Sequence, residues 1–379
     1  MVSQIDLLIA HLKGKRVGLL VNPTSVSPDY THLIDLLTAA DGVEVVALFG
    51  PEHGVRGCSQ AGVETEDYVD RETGLPVYAL YGPRRAPEPA QLDMLDVLVF
   101  DIQDVGARFY TYCWSMTYAM EACAKAGKEF VVFDRPNPVG CLRVEGAPLR
   151  FDCGIIGRYW EGRPVSIPVR HGMTMGEFAT LVNEEYMSLK VNLFIVKMND
   201  YRRGQTFGET GFPWVFPSPN MPSIHCAEIY LGTCVFEGSN LSEGRGTTLP
   251  FELIGAPWVD GESFARHMNA KNLLGVRFRP VIFEPTFSKF KGEVCGGVQV
   301  HVVDASAFSS VDTGLHLLKG FVDVYGDKVV LRDWCDRLMG VRGLSTRIRS
   351  EKVEDICAAW QDDLREFLDM RAKYLLYSE

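Results

Sequence analysis

The sequence predicts an α/β fold in which a parallel-sheet domain over residues 1–140 precedes a second, less regular α/β domain over 141–379. Three observations carry this reading. Short apolar runs rich in β-formers alternate with helical stretches through the first 140 residues, the pattern of a parallel sheet with crossover helices. Those runs are apolar almost throughout, as strands covered on both faces must be. After Gly140 the texture becomes irregular, and the length of 379 residues suits one large or two ordinary domains.

Taken in order, the expected strands of the first domain are Arg16–Val21, Val43–Phe49, Val77–Leu80, Val97–Phe100 and Glu129–Phe133. Between them, Tyr30–Ala40 reads as an amphipathic helix. Phe109–Ala126 is apolar almost all round and reads as a buried one. The order of elements is Rossmann-like. Beyond Gly140, Ile167–Arg170 and Asn192–Val196 read as short strands flanking a helix over Thr174–Met187. Tyr201–Gly246 is rich in Gly, Pro and aromatics with little periodicity; so long a stretch is more often a functional wall than a connector. Strands over Val276–Phe283 and Gly297–Val303 and helices over Val311–Val324 and Glu351–Tyr377 complete the chain.

Composition bounds the function. With 46% hydrophobic and 23% charged residues the chain is an ordinary globular one. Its 38 basic against 49 acidic residues leave a net charge of -11, which argues against a nucleic-acid partner. No apolar run approaches the ~20 residues of a membrane span. The N-terminal MVSQIDLLIAHLKG is a poor signal peptide, its apolar run broken by Asp6. The ten cysteines show no C-x-x-C pair, and several lie in apolar runs. Scattered thiols of this kind suit a reducing compartment, so a cytoplasmic location is expected, with a periplasmic or secreted one as the alternative if a leader has been removed.

In open parallel sheets, ligands bind beyond the carboxyl ends of the strands. The residues expected there are Asn22 after the first strand, Glu52, His53 and Arg56 after the second, Asp101, Gln103 and Arg108 after the fourth, and Asp134 and Asn137 after the fifth. Four polar strand ends on one rim point to a polar small-molecule site. A nucleotide is not indicated: no G-x-G-x-x-G follows the first strand, and no G-x-x-x-x-G-K-[ST] occurs. No G-x-S-x-G elbow supports a serine hydrolase. No H-E-x-x-H supports a metal, although Glu52, His53 and Asp101 are a weak candidate ligand set. The expectation is no cofactor and no metal.

Carboxylate chemistry remains. Glycoside hydrolysis needs two carboxyls flanking the scissile bond, one protonated as acid and one ionised as base or nucleophile. Glu52, in a turn framed by Pro51 and Gly54, is placed for the acid, where partial burial would raise its pKa. Asp101 on the same rim, and Glu237 and Glu243 in the wall, are the candidates for its partner.

Five segments now stand in order: G-P-E-H-G-V-R-G at 50–57, D-I-Q-D-V-G-A-R-F-Y-T at 101–111, D-R-P-N-P at 134–138, P-S-P-N-M-P at 217–222 and E-G-S-N-L-S-E-G-R-G-T at 237–247. Together they resemble the exo-acting β-N-acetylmuramidase family of bacterial cell-wall recycling, over the chain from about Gly14 onward. The resemblance implies an active site in the cleft between a Rossmann-like and a second α/β domain. It also implies release of non-reducing-end N-acetylmuramic acid (MurNAc) from peptidoglycan fragments such as MurNAc-GlcNAc, with Glu52 as the catalytic glutamate. Glu243 and Asp101 are the further catalytic candidates.

The muramic acid lactyl group is a carboxylate, best read by a bidentate arginine, so Arg56, Arg108 and Arg245 are its candidate partners. Asn22, Asn137, Asn220 and Asn240 are candidates for sugar hydroxyls or the N-acetyl group, and Trp160, Trp214 and Phe216 for sugar faces. A metal-assisted deacetylase or amidase on amino sugars, or a non-catalytic muropeptide-binding protein, are the alternatives. The oligomeric state is not legible.

Overall fold

The computed structural model describes residues 3–57 and 66–379. Its main sheet has seven strands: β1 (Arg16–Val21), β2 (Glu44–Gly50), β3 (Tyr68–Val69), β4 (Pro76–Ala79), β5 (Val97–Asp101), β6 (Glu129–Phe133) and, after the two-stranded hairpin β7 (Tyr159–Trp160) and β8 (Arg163–Pro164), β9 (Asn192–Val196). The order is β3-β4-β2-β1-β5-β6-β9, with only the edge strand β3 antiparallel to its neighbour. Without β3, the six parallel strands have the 3-2-1-4-5-6 order of a doubly wound sheet. The five expected strands of the first 140 residues all form.

Alternation along the strands divides the packing. Val17, Leu19 and Val21 of β1 face the helices Gln4–Leu12 and Leu33–Thr38, whereas Leu20 faces the other side with Phe100, Phe130 and the helix Tyr112–Ala126. Gly18 is required by that second face: a Cβ there would lie 2.6 Å from Leu95 Cδ2. The first helix is started by a capping box in which Asp6 N donates to Ser3 Oγ and Ser3 N to Asp6 Oδ2, each at 3.2 Å.

Four expectations are corrected. The first sheet does not end near residue 140, because Asn192–Val196 pairs with β6 along its whole length. Ile167–Arg170 makes only isolated bridges from Arg170 to Ala107 and Glu145. The helix expected over Glu351–Tyr377 is two, Val353–Ala358 and Gln361–Ala372. The wall at 201–246 contains a helix, Ile224–Thr233, whose faces are nearly all apolar and therefore show no 3.6-residue stripe.

The second sheet is antiparallel, β10 (Leu253–Ala256), β12 (Cys295–Val302) and β11 (Val276–Phe283) in that order. The helix Gly261–Ala270 packs on it, and the helix Ser310–Tyr325 packs on that helix and on Ile224–Thr233. One hydrophobic cluster runs from Phe100 and Met116 under the first sheet to Phe236, Phe264, Val298 and Phe321 in the second unit. The two sheets share a core.

Candidate active site

The second strand delivers Glu52. Gly50 closes β2, and Gly54 N donates to Pro51 O (2.9 Å), making a tight turn across Pro51–Gly54. His53 occupies its third position with φ 73°, a left-handed conformation that Gly or Asn adopts more readily. Such backbone strain, of order 1–3 kcal/mol, clusters at functional sites. The turn is fixed from outside by the start of the helix Tyr112–Ala126. Thr111 is its N-cap yet makes no side-chain cap bond; its Oγ1 donates instead to Glu52 Oε2 (2.8 Å). Tyr112 Oη donates to Pro217 O (2.5 Å), which draws the Pro217–Asn220 segment to the same place.

Glu52 and His53 open onto a cleft of about 740 Å3. Its floor and near side include Tyr110, Thr111, Tyr112, Ser218, Asn220 and Tyr230. Tyr110 is buried beside Ser218, and burial keeps its hydroxyl protonated by pushing its pKa well up. The far side is the expected segment: Glu237, Glu243 and Arg245, joined by Lys289 from a later loop. Lys289 Nζ donates to Glu243 Oε2 (2.8 Å) and to the carbonyls of Phe236 (2.8 Å) and Leu241 (3.0 Å). Arg245 Nη2 donates to Glu237 Oε1 (2.6 Å), and its Nε lies 3.5 Å from Glu243 Oε1. Two carboxylates and two cations thus form one wall with formal charges that cancel. Within it Glu243 is only 3% exposed and contacts both cations, whereas Glu237 is 23% exposed and its carboxylate pairs with Arg245.

Of the residues singled out in the sequence, the cleft gathers Glu52, His53, Asn220, Glu237, Glu243 and Arg245. The others do not line it, and most of them are engaged in the scaffold. Asp101 is fully buried in a bidentate ion pair with Arg135, whose Nη2 also donates to Val26 O (2.9 Å). It is therefore not a second catalytic carboxylate, nor a metal partner for Glu52 and His53. Asn22 Oδ1 accepts from Thr24 N (2.9 Å) and Thr24 Oγ1 (2.6 Å), and Ser25 Oγ donates to Asp101 O, so side chains of the protein itself bridge the ends of β1 and β5. The crevice at those ends is where a doubly wound sheet takes a dinucleotide. Gln103 Nε2 is spent on the carbonyls of Asp104 and Pro136.

Asp134 accepts from Thr174 Oγ1 (2.7 Å), Gly176 N (2.8 Å) and Tyr377 Oη (2.6 Å), anchoring the helix Met175–Glu185; burial pushes its pKa up to about 6. Asn137 braces Met173 and Val139, and Asn240 braces Lys328 and Val330. The arginines are corrected in the same way. Arg56 forks onto Asp70 (3.0 and 3.1 Å), and buried Arg108 donates to Ile156 O (3.1 Å) and Leu338 O (2.6 Å), tying the two halves together beneath the cleft. Trp160 lies under Arg158, Trp214 packs edge-on to Phe207, and neither they nor Phe216 line the cleft.

Sequence reasoning missed Tyr110, Thr111 and Lys289. The first two stand in the quoted 101–111 segment but were read as the apolar head of a helix. Lys289 carried no signal in its own neighbourhood.

Comparison with known proteins agrees with this geometry. The N-terminal model of the exo-β-N-acetylmuramidase NamZ matches residues 17–225 and the C-terminal model residues 228–377. A curated relative, peptidoglycan β-N-acetylmuramidase NamZ of Bacillus subtilis, is 44% identical over 97% of this chain and 88% of its own. Two crystal structures of DUF1343 family proteins from Bacteroides fragilis superpose on it. One is 37% identical with a TM-score of 0.91, covering 99% of this chain and 98% of its own; the other is 30% identical with a TM-score of 0.75, covering 100% and 99%. The residues of the Glu52 turn and of the facing wall thus sit in a chain that belongs to the exo-β-N-acetylmuramidase NamZ family.

Proposed function

We propose that this chain is an exo-acting glycoside hydrolase that releases N-acetylmuramic acid from the non-reducing end of peptidoglycan fragments of the MurNAc-GlcNAc type, in cell-wall turnover and recycling. The observation that carries it is that two carboxyl sources line one cleft: Glu52, held by Thr111, and the Glu237–Arg245 wall. Glu52 is the general acid at the glycosidic oxygen. Glu237 is the better second carboxyl, because Glu243 is almost completely buried and held by two cations. Tyr110, whose buried hydroxyl stays neutral at the cleft floor, is the donor for a sugar or N-acetyl oxygen. Nine free cysteines among the described residues, eight of them buried, agree with a reducing compartment. No described helix is long and apolar enough to cross a membrane.

The test is incubation with MurNAc-GlcNAc and mass spectrometry of the products. Free MurNAc and GlcNAc are expected from the wild type, and turnover lower by ~10²–10⁴-fold from Glu52→Gln, the usual cost of losing a positioned general acid. An intact disaccharide, or a Glu52→Gln variant as fast as wild type, would overturn the assignment.

A further inference from the structure

A second cavity of about 270 Å3 adjoins the cleft, and Tyr81, Thr111 and Ile155 line both. Its remaining wall includes Leu80, Trp114, Tyr118 and Arg85. Trp114 is held by its Nε1 bond to Arg108 O (2.7 Å), and Tyr118 is covered on one face by the Arg158 guanidinium 4.2 Å from the ring centroid. The side pocket is therefore a largely aromatic recess with Arg85 exposed at its edge. Arg85 is the one ionisable cation or anion among its described lining residues apart from the tyrosine hydroxyls, and no described carboxylate pairs with its guanidinium.

Charge accounting gives this recess an occupant. The cleft wall is neutral within itself, because Arg245 and Lys289 are committed to Glu237 and Glu243. Arg56 is committed to Asp70, and Arg108 lies buried below. Arg85 is the cation of the adjoining recess that no described carboxylate pairs. Thr111 is the partition between recess and cleft and also the residue bonded to Glu52. The recess thus opens beside Glu52. A volume near the lower end of small-ligand pockets, ~300 Å3, suits a short side arm rather than a second sugar pair.

We propose that the recess lined by Tyr81, Arg85, Trp114 and Tyr118 is a subsite for the carboxylate-bearing lactyl arm of the muramic acid, with Arg85 as its cation. This rests on the functional reading above. The carboxylate has two possible sources, the free lactyl group or the first residues of a peptide amide-linked to it.

The experiment is calorimetric titration of the wild type, Arg85→Ala and Arg85→Lys with free MurNAc, free GlcNAc and MurNAc-L-Ala-D-Glu, which needs no turnover. For Arg85→Ala the Kd of MurNAc should rise about tenfold, equivalent to about 1.4 kcal/mol, while that of GlcNAc stays unchanged. Arg85→Lys should recover part of the loss. If the dipeptide ligand loses affinity in the same way, the recess takes the peptide carboxylates as well; if it binds the wild type no better than GlcNAc, the recess takes the free lactyl group. Both results support the subsite. An unchanged Kd for MurNAc and for the dipeptide ligand in Arg85→Ala, or an equal loss for GlcNAc, overturns it. Absence of MurNAc release by a wild type that binds MurNAc through Arg85 would instead refute the hydrolase reading.

Discussion

Removing one hydroxyl tests how far the geometry around Glu52 matters for turnover. Thr111 stands at a helix N-cap, where a threonine side chain normally bonds a backbone amide and contributes ~1 kcal/mol to stability. Here it makes no such bond, and its Oγ1 donates to Glu52 Oε2 at 2.8 Å. The hydroxyl therefore serves the carboxyl rather than the helix, and Thr111→Val should leave the fold close to wild type in thermal unfolding. A hydrogen bond to a charged group contributes ~1.5–3 kcal/mol, or about 10- to 150-fold in rate if the loss falls wholly on the transition state. The expected result is a fall in kcat of that size with KM for MurNAc-GlcNAc within about twofold, the pattern of an interaction realised in the transition state. Thr111→Ser, which keeps the hydroxyl, should recover most of the activity. A Thr111→Val enzyme within about twofold of wild type, or a Thr111→Ser enzyme equally impaired, would refute the argument that this bond positions the acid.

Two further outcomes follow from buried charge. Burial pushes Asp104 up to about 7 from 3.8, although one carboxyl oxygen accepts from Gly106 N (2.7 Å). A carboxyl with a raised folded pKa gives its full contribution below about pH 4 and loses it as pH rises through 7. Asp104→Asn should thus be near neutral in stability at pH 4 and stabilising at pH 8, by at most about 4 kcal/mol for a gap of about three pH units; denaturant unfolding at the two pH values measures it, and equal effects at both would refute it. Lys289→Met should destabilise by roughly 3 kcal/mol, because it removes the closest cation from a buried Glu243. Adding Glu243→Gln should restore part of that loss in the same unfolding assay, and a double variant no more stable than Lys289→Met would count against the pairing.

The fold was legible because parallel strands buried on both faces are written as near-continuous apolar runs, and β1, β5 and β6 are of this kind. The helix Ile224–Thr233 was not, because a helix buried all round carries no stripe to recognise. The site was half legible for a related reason. Strand ends locate polar residues on a rim but do not say which way each side chain turns. Glu52 turns outward on a strained turn, whereas Asp101 turns inward to Arg135 and Asp134 to Thr174 and Tyr377. All three look alike as acids at strand ends. Lys289 illustrates the other limit: its partner Glu243 lies 46 positions earlier, and only the folded chain brings them to 2.8 Å.

The continuity of the hydrophobic cluster from the first sheet into the second unit constrains how the molecule can move. Hinged enzymes close over substrate because their domains meet across a thin, polar interface that parts at little cost. Here an opening motion would have to expose apolar surface from Met116 to Phe321 and break the Arg108 strut to Ile156 and Leu338. The width of the groove is thus settled when the chain folds, and the sugar enters a mould rather than a jaw. The same continuity means that the boundary near residue 225, where one family model gives way to the other, is no boundary in cooperativity: heating should melt both halves in a single transition.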